Sequence, residues 1–311
     1  MKKILITGAA GMIGMQLIKE LINEEKIEIT AVDLKNLKSQ NNFKKYENKI
    51  NVLYGDLTNR NFVESIVEKQ DYIVHLATVQ SPEVINNKEL SELMELKITE
   101  NFTRALTYFN TDCHFVYGST TSVYGDKEKE VTVDTKVKNT FKTFYDKNKY
   151  KSENLITKKI KNYTIVRMPL VLGKIDEDKI LYNFKKDSII STITKEDAAL
   201  FFAEFLKNEK KVKDNIINIS GDESFTLTYE DLISSFIKNN ALSIKMIMSL
   251  IFLEKNNFSP VVSDTKEINK KLGYQKDTMS NYLSRVKYNC KGKHIAKITK
   301  GVFLRIWEKK K

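Results

Sequence analysis

The chain has 311 residues, 41% hydrophobic and 30% charged, a composition that excludes wholesale disorder, collagen-like fibres and disulfide scaffolds. Lysine and arginine outnumber aspartate and glutamate by 52 to 40, but they are spread over the whole chain, so we expect no nucleic acid partner. The longest apolar run, residues 241–253, is shorter than the roughly 20 residues that cross a membrane. Two cysteines and no secretory signal favour a cytoplasmic protein with reduced thiols.

Strand and helix patterns alternate along the first two thirds of the chain. We predict strands at residues 3–7, 27–33, 50–54, 72–76, 114–118, 163–167 and 215–219. Helical patterns lie between them, near residues 11–23, 59–69, 88–109, 145–160 and 195–208. Strands that alternate with helices form parallel sheets with right-handed crossovers. The predicted fold is therefore α/β, a doubly wound parallel Rossmann sheet with a smaller C-terminal substrate lobe.

The regular alternation of strand and helix patterns becomes weaker after Gly173, and we place the predicted domain boundary there. We assign residues 1–172 plus about 195–220 to the sheet domain, and about 173–194 plus 221–290 to the smaller lobe. Ligands of such folds bind beyond the carboxyl ends of the strands. Residues 291–311 are basic, with apolar residues near helical spacing. We expect a C-terminal helix docked on the body or on a second subunit there, and contact with a membrane surface is the less favoured alternative.

A glycine-rich motif, TGAAGMIG at residues 7–14, lies where the first predicted strand ends and the first helix begins. In such a loop the first glycine permits a sharp turn, the second lets a pyrophosphate approach the helix N-terminus, and the third allows the helix to pack closely on the sheet. The motif therefore predicts dinucleotide binding. The residues expected to contact the cofactor here are Gly8, Gly11, Met12, Ile13 and Gly14.

The second predicted strand ends at Asp33, close to the separation of about 20 residues at which an acidic residue binds the adenosine ribose. A carboxylate accepts hydrogen bonds from the ribose hydroxyls and repels a 2′-phosphate, so we expect NAD rather than NADP. Lys35, two positions further on, leaves NADP open as an alternative. Further cofactor contacts are expected where the third and fourth strands end, at Asp56, Leu57, Leu76 and Ala77.

Several further motifs follow the glycine loop. They read GDL at residues 55–57, HLA at 75–77, GSTTSVYG at 118–125, YDKNKYKSE at 145–153 and RMPLVLG at 167–173. Together they resemble the extended short-chain dehydrogenase/reductases, in particular the NAD-dependent epimerase/dehydratase group that acts on nucleotide sugars. The resemblance is close over residues 3–173 and loose over 195–275. It implies NAD as cofactor, a nucleotide-sugar substrate, and a homodimer that pairs the helices near 88–109 and 145–160.

The resemblance also implies a catalytic trio of Thr120, Tyr145 and Lys149, with Tyr145, Lys149 and Pro169 contacting the cofactor. A phenol, whose pKa is normally about 10, is a weak base at neutral pH. Tyr145 and Lys149 are four residues apart on a predicted helix and share one face, so the ammonium can lower the phenol pKa and hold the ribose. Thr120 is expected to hydrogen-bond the reacting oxygen.

The reaction itself is less tightly specified. Thr121 and Ser122 occupy the positions where the resemblance places the acidic pair of 4,6-dehydratases, so dehydration is disfavoured. Epimerisation at C4 through a transient ketone is the expected reaction, and an NAD(P)-dependent reductase or dehydrogenase of a sugar nucleotide is the alternative. A non-catalytic dinucleotide-binding sensor is disfavoured because Tyr145 and Lys149 are both present.

Two departures from the family pattern concern the substrate lobe and one helix. The segment between Gly173 and Lys195 is short and has Lys185, Lys186 and Asp187 but no arginine, so diphosphate recognition would depend on lysines. The resemblance also implies an asparagine in the helix near Lys97, where this sequence has lysine.

Metal chemistry is not expected. The three histidines, His75, His114 and His294, show no ligand spacing, and we interpret the first two as strand residues. Cys113 adjoins a predicted strand and is interpreted as inert packing rather than as a nucleophile.

Overall fold

Ten strands alternate with helices in the computed structural model, which describes residues 1–79, 84–85, 87–125, 130–137, 140–173, 184–185, 187–212, 215–239 and 260–286. The strands are β1 (Lys2–Thr7), β2 (Ile27–Asp33), β3 (Asn51–Tyr54), β4 (Tyr72–His75), β5 (His114–Thr120), β6 (Tyr163–Met168), β7 (Leu170–Leu172), β8 (Ile189–Thr194), β9 (Ile216–Asn218) and β10 (Thr226–Thr228). Seven of them form one parallel sheet in the order β3-β2-β1-β4-β5-β6-β9. This sheet confirms the predicted α/β fold class.

The described helices are α1 (Met12–Leu21), α2 (Leu37–Phe43), α3 (Arg60–Val67), α4 (Ile98–Phe109), α5 (Phe144–Lys159), α6 (Lys195–Asn208), α7 (Tyr229–Lys238), α8 (Thr265–Leu272) and α9 (Met279–Arg285). A short helical turn, Lys88–Ser91, and a π-helical segment, Glu92–Lys97, lead into α4. A 3₁₀ turn, Thr121–Tyr124, follows β5. The helices Leu37–Phe43, Tyr229–Lys238, Thr265–Leu272 and Met279–Arg285 were not predicted.

Apolar residues on both faces of the sheet explain why it is covered by helices on both sides. One buried cluster joins the sheet to α1 and α6, and a second joins it to α3, α4 and α5. Parallel strands buried on two faces need such a three-layer arrangement. Strand β1 pairs with β2 on one side and with β4 on the other, both in parallel. The strands after β3 are therefore added on the opposite side of β1, and the strand order reverses there. A crevice at the carboxyl ends of β1 and β4 follows from this topology.

A smaller sheet in the order β10-β8-β7 packs with α7 and α9 around a separate apolar cluster. The sequence pattern did not predict this sheet. Strand β9 returns to the central sheet beside β6, in the segment 195–220 that we assigned to the sheet domain. The division into two domains stays a prediction, and the basic segment 291–311 lies outside the described residues. None of the helices in the described ranges is both long and apolar enough to cross a membrane.

Candidate active site

The glycine loop joins β1 to α1 at the crevice. Gly8 has a φ of +65°, and a Cβ on it would lie 2.6 Å from the backbone nitrogen of Ala77. A Cβ on Gly14 would lie 2.6 Å from the Gly8 carbonyl oxygen, so α1 can approach the loop only because this residue is glycine. Gly11 precedes α1 and offers no capping side chain, which leaves first-turn N–H groups of the helix for an anion. The loop therefore fits the diphosphate of a dinucleotide.

Asp33 is the last residue of β2 and lies beside this loop. One carboxylate oxygen accepts a hydrogen bond from the backbone N–H of Ala10, and the other accepts one from Leu34, both at 2.8 Å. A carboxylate has about four acceptor positions, so these two bonds fix its orientation and leave capacity for ribose hydroxyls. Lys35 is exposed. The position of Asp33 fits its predicted role, which remains a prediction.

The loop after β3 is held by a residue that the sequence analysis missed. Asn101, buried in α4, donates from its side-chain amide to the carbonyl oxygens of Leu57 and Thr58 at 2.9 and 3.0 Å. It lies one turn after the exposed Lys97, in the helix where the resemblance implies an asparagine and where the sequence analysis noted only the lysine. Asp56 in the same loop accepts a hydrogen bond from the backbone of Thr58 at 2.8 Å. The helical spacing of buried α4 residues is the signal that points to Asn101.

The remaining predicted cofactor residues also lie at the carboxyl ends of strands. Leu76 follows β4 and donates from its backbone to Thr7 at 3.2 Å. Pro169 is buried between β6 and β7. The Met12 sulfur lies where a Cβ on Gly173 would be, at 1.9 Å, so the first residue of α1 packs on the end of β7. The glycine loop and the start of α1 therefore lie against the residues that follow β4 and β7.

Lys149 is buried on α5 and has two oxygen partners. Its ammonium lies 2.9 Å from the Glu95 carboxylate and donates to the Gly118 carbonyl oxygen at 3.0 Å. It also lies 4.6 Å from the ring centroid of Tyr117 and 5.7 Å from that of Tyr145. Burial opposes the charge on the ammonium, but the Glu95 carboxylate and the two phenols outweigh it and raise the pKa of Lys149 above its usual range. The lysine is therefore charged in the folded protein.

Glu95 was not among the predicted site residues. It projects from the π-helical segment Glu92–Lys97, and its other carboxylate oxygen accepts a hydrogen bond from the Thr78 hydroxyl. The backbone oxygen of Glu95 accepts from the hydroxyls of Thr99, at 2.7 Å, and Ser152, at 3.3 Å. π-Helical segments are rare and frequently lie at functional sites. These contacts fix the carboxylate that faces the lysine.

Thr120 ends β5, and its hydroxyl caps the 3₁₀ turn. Thr120 Oγ1 lies 2.8 Å from Ser122 Oγ, and the Ser122 hydroxyl donates to Asp146 Oδ1 at 2.5 Å. Asp146 follows Tyr145 in the first turn of α5, and both side chains are buried. Burial raises the pKa of Asp146, while hydrogen bonds from Ser122 and Thr143 lower it in part. The structure thus links Thr120 through Ser122 to Asp146, the residue after Tyr145, and neither Ser122 nor Asp146 was a predicted site residue.

A buried ion pair supports the same helix from behind. The Arg167 guanidinium donates to both carboxylate oxygens of Glu153, at 3.0 and 2.6 Å, and lies 4.7 Å from the ring centroid of Tyr124. The Tyr124 hydroxyl donates to Asn218 at 2.9 Å, and Asn218 donates to Asp264 at 3.0 Å. This network links α5 and β6 to β9 and the start of α8. It accounts for the motif residues Tyr124, Glu153 and Arg167 as structural groups.

Two histidines and one cysteine occupy structural positions. His75 Nδ1 lies 2.7 Å from the Thr7 hydroxyl, and burial with the nearby Lys149 charge lowers the His75 pKa to about 3. Burial lowers the pKa of His114 to about 4 and raises that of the Cys113 thiol to about 12. In the described part of the chain, no three histidine, cysteine or acidic side chains are grouped to hold a metal. His294 and Cys290 lie outside the described residues.

The family comparison agrees with this geometry. The model of the NAD dependent epimerase/dehydratase family matches residues 4–200, well over half of the chain. The chain belongs to this family. Membership confirms the resemblance seen in the motifs, the expected enzyme class of NAD-dependent epimerases and oxidoreductases, and NAD as the cofactor. The glycine loop and Asp33 are the described residues that fit this cofactor.

Individual relatives of this NAD dependent epimerase/dehydratase family member are distant. An uncharacterised UDP-glucose epimerase of Bacillus subtilis is 31% identical over 147 residues, which cover 43% of this chain and 44% of that protein. The GDP-6-deoxy-D-talose 4-dehydrogenase of Aggregatibacter actinomycetemcomitans is 27% identical over 78% of this chain and 74% of its own. The structure of the UDP-glucuronic acid 4-epimerase of Bacillus cereus with UDP-glucuronic acid and NAD superposes with a TM-score of 0.74 at 21% identity, covering 91% and 97% of the two chains. This likeness shows the shared fold.

Proposed function

We propose that the chain is an NAD-dependent nucleotide-sugar epimerase that inverts C4 through a transient ketone. The observation that carries the proposal is the pairing of Tyr145 and Lys149. Both side chains are buried on one face of α5, with the ammonium 5.7 Å from the phenol ring centroid and bonded to Gly118 in β5. They lie at the carboxyl end of the sheet, as the glycine loop does. A sensor without chemistry has no evident need for this arrangement.

Each side chain has a proposed task in the reaction. Bound NAD would supply the hydride chemistry at the sugar carbon, and the residues of this chain would hold the cofactor and move the proton. Tyr145 accepts the proton of the reacting hydroxyl, and the Thr120 hydroxyl hydrogen-bonds the same oxygen. Lys149 holds the cofactor ribose and keeps its positive charge because Glu95 faces it. Asp33 accepts hydrogen bonds from the adenosine ribose.

The substrate class is taken from the relatives. The proteins compared above are named for UDP- and GDP-linked sugars, so a nucleoside diphosphate sugar is the proposed substrate. Lys185 and Asp187 are exposed in the segment proposed to meet the diphosphate, and Lys186 lies outside the described residues. Diphosphate recognition by lysines stays a prediction.

One observation favours a second function. The relative that aligns with 78% of this chain is named as a 4-dehydrogenase, which oxidises or reduces a sugar carbon without inverting it. A one-way NAD-dependent dehydrogenase or reductase of a sugar nucleotide would use the same Tyr145, Lys149 and Thr120. It is therefore the alternative to the epimerase.

A single assay separates the two. The purified protein is incubated with NAD and, one at a time, with UDP-glucose, UDP-glucuronic acid and their GDP-linked counterparts, and the products are followed by proton NMR and absorbance at 340 nm. An epimerase produces the C4 epimer with no net absorbance change, whereas a dehydrogenase produces NADH in proportion to the ketone. Failure to convert any of these sugars under either readout would contradict the proposal.

A homodimer is part of the proposal. Leu90 and Leu93, near the start of the helix that leads into α4, are 40% and 43% exposed, and Phe144 at the start of α5 is 37% exposed. These apolar side chains belong to the two helices that the resemblance pairs between subunits. A closed two-fold contact would bury them. A cytoplasmic location and contact of residues 291–311 with a membrane surface or a second subunit also stay predictions.

A further inference from the structure

A chain of hydrogen bonds leads inward from the end of β5. Its members are Thr120 and Ser122, which are partly exposed, and Asp146, which is 8% exposed. The two oxygen–oxygen distances are 2.8 Å and 2.5 Å. We propose that Asp146, acting through Ser122 and Thr120, is a second proton acceptor for the reacting hydroxyl, alongside Tyr145. The inference rests on the proposed function, because it assigns this relay to the same reacting oxygen.

The protonation state of the Thr120–Ser122–Asp146 hydrogen-bond chain determines whether the Thr120 hydroxyl donates to a substrate or accepts from it. When Asp146 is ionised, Ser122 donates to its carboxylate and Thr120 donates to Ser122, so the Thr120 oxygen can only accept. A substrate hydroxyl that donates to Thr120 can then pass its proton inward. The substrate O–H bond breaks, each hydroxyl gives its own proton to the next oxygen, and an O–H bond forms on Asp146. The substrate carbon loses a hydride to NAD in the same oxidation, so atoms and charge balance.

The surroundings of Asp146 suit this task. Burial raises its pKa above the ordinary value of an aspartate, and a carboxylate with a raised pKa is a stronger base. The hydrogen bonds from Ser122, on the 3₁₀ turn, and from Thr143, before α5, lower the Asp146 pKa and so partly oppose the effect of burial. Of the neighbouring lysines on α5, Lys147 is exposed and Lys149 is paired with Glu95. Neither of these two lysines forms an ion pair with Asp146, whose carboxylate accepts a hydrogen bond from Ser122.

The ion pair between Glu95 and Lys149 explains why a second proton acceptor would be useful. The resemblance assigns to Lys149 the task of lowering the phenol pKa of Tyr145 with its positive charge. Here a carboxylate lies 2.9 Å from that ammonium, so the pair as a whole is neutral. The electrostatic help available to Tyr145 is correspondingly smaller. Asp146 is a second proton acceptor, reached through the Thr120 hydroxyl that contacts the same substrate oxygen. It offsets the weaker electrostatic help to Tyr145.

A substrate-free titration tests the hydrogen-bond chain. The carboxyl carbons of aspartate are labelled with ¹³C, the Asp146 signal is assigned with Asp146→Asn, and its pKa is measured in the full chain with NAD. We expect a pKa above that of the exposed Asp134, a further rise in Ser122→Ala, and a value close to that of the unmodified protein in Ser122→Thr, which keeps the hydroxyl. An ordinary pKa that does not respond to Ser122→Ala would overturn the relay, whatever the substrate is.

Turnover in the Tyr145→Phe background tests the proton transfer itself. The residual rate of this variant should fall as the pH drops through the Asp146 pKa found by titration, because the acceptor must be ionised. Tyr145→Phe/Asp146→Asn should lose most of the residual rate and this pH dependence, whereas Tyr145→Phe/Asp134→Asn should keep both. An unchanged rate and pH profile in the Asp146 double variant would refute the relay. If the unmodified protein converts no sugar nucleotide, the proposed function fails, and the titration alone decides the relay.

Discussion

The Lys149 ammonium and the Glu95 carboxylate form an ion pair at 2.9 Å, with side-chain exposures of 2% and 1%. Glu95 extends from the π-helical segment Glu92–Lys97 and Lys149 from α5, so the pair joins two neighbouring helices. An ammonium buried this deeply needs a compensating charge, since desolvation costs several kcal/mol per ion. Glu95 therefore keeps the proposed catalytic lysine charged and in place.

Removal of one partner should be costly. Glu95→Gln leaves the Lys149 ammonium buried and unpaired, and the free energy of unfolding, measured by urea titration, should fall by about 3–5 kcal/mol. The matched control is Glu92→Gln, one turn away, whose carboxylate lies 3.3 Å from the Lys151 ammonium with both side chains more than a third exposed. That change should cost less than about 1 kcal/mol.

The double variant Glu95→Gln/Lys149→Met completes this experiment. It removes both charges, so it should recover a large part of the stability lost in Glu95→Gln. Equal losses for Glu95→Gln and Glu92→Gln, or no recovery in the double variant, would contradict the buried ion pair.

Cofactor choice should depend on Asp33. Calorimetry should show tighter binding of NAD(H) than of NADP(H), because the carboxylate repels a 2′-phosphate. Asp33→Ala should narrow the preference and also weaken NAD, since the backbone N–H of Ala10 loses its acceptor. Lys35→Ala should leave the NAD affinity unchanged and weaken NADP(H) further. Equal affinities for the two cofactors in the unmodified protein would defeat the assignment.

Protonation of Asp197 should stabilise the fold. Burial raises the pKa of this carboxyl to about 6, although backbone N–H groups of Lys276 and Asp277 donate to it. A carboxyl whose folded pKa is raised contributes stability that is complete below its unfolded pKa of about 4 and is lost as the pH rises through about 6, up to roughly 3 kcal/mol.

The measurement for Asp197 is a difference between two proteins, because His114, whose pKa burial lowers to about 4, acts in the opposite direction over an overlapping pH range. The free energy of unfolding is determined at pH 4 and pH 7 for the unmodified protein and for Asp197→Asn. The stability of the unmodified protein relative to the variant should decrease from pH 4 to pH 7. A constant difference would show that the Asp197 pKa is ordinary.

Elements with strong periodic patterns were predictable from the sequence. The strand Ile27–Asp33 and the helix Lys195–Asn208 have the predicted bounds, because each buries apolar residues at a regular spacing. The helix Leu37–Phe43 was missed because its residues are mostly polar. It is stabilised by a reciprocal capping box between Asn36 and Ser39, a local signal that hydrophobic periodicity does not contain.

Site residues that belong to a sequence motif could be predicted, whereas contacts between residues far apart in the sequence could not. Gly8, Asp33, Tyr145 and Lys149 were predicted from motifs and from strand and helix ends, and their roles stay predictions. Glu95 was missed, although it shares the helical spacing of the buried Ile98 and Phe102, a weak signal for an inward-facing acid. Asp146 reads in the sequence as an ordinary acidic residue in the first turn of a helix. Its link to Ser122 depends on how the 3₁₀ turn after β5 meets α5.

Assembly can be tested through the exposed apolar side chains. Sedimentation at micromolar concentration should give at least a dimer, because Leu90, Leu93 and Phe144 would be buried in a two-fold contact. Leu93→Glu should shift the protein towards the monomer, since it places a charge in that contact. Leu37→Glu is the matched control, because Leu37 is 79% exposed on a different helix. A monomeric unmodified protein would remove the claim.

The most direct test of the proposed enzyme is the turnover of Tyr145→Phe on the sugar nucleotide that the product assay identifies. The change deletes one hydroxyl, so circular dichroism should show an unchanged fold and calorimetry an NAD affinity within a few-fold of the original. Turnover should fall by roughly 10² to 10⁴, the effect of losing a positioned acid or base. A fully active Tyr145→Phe protein would show that Tyr145 does not take part in the reaction and would contradict the account.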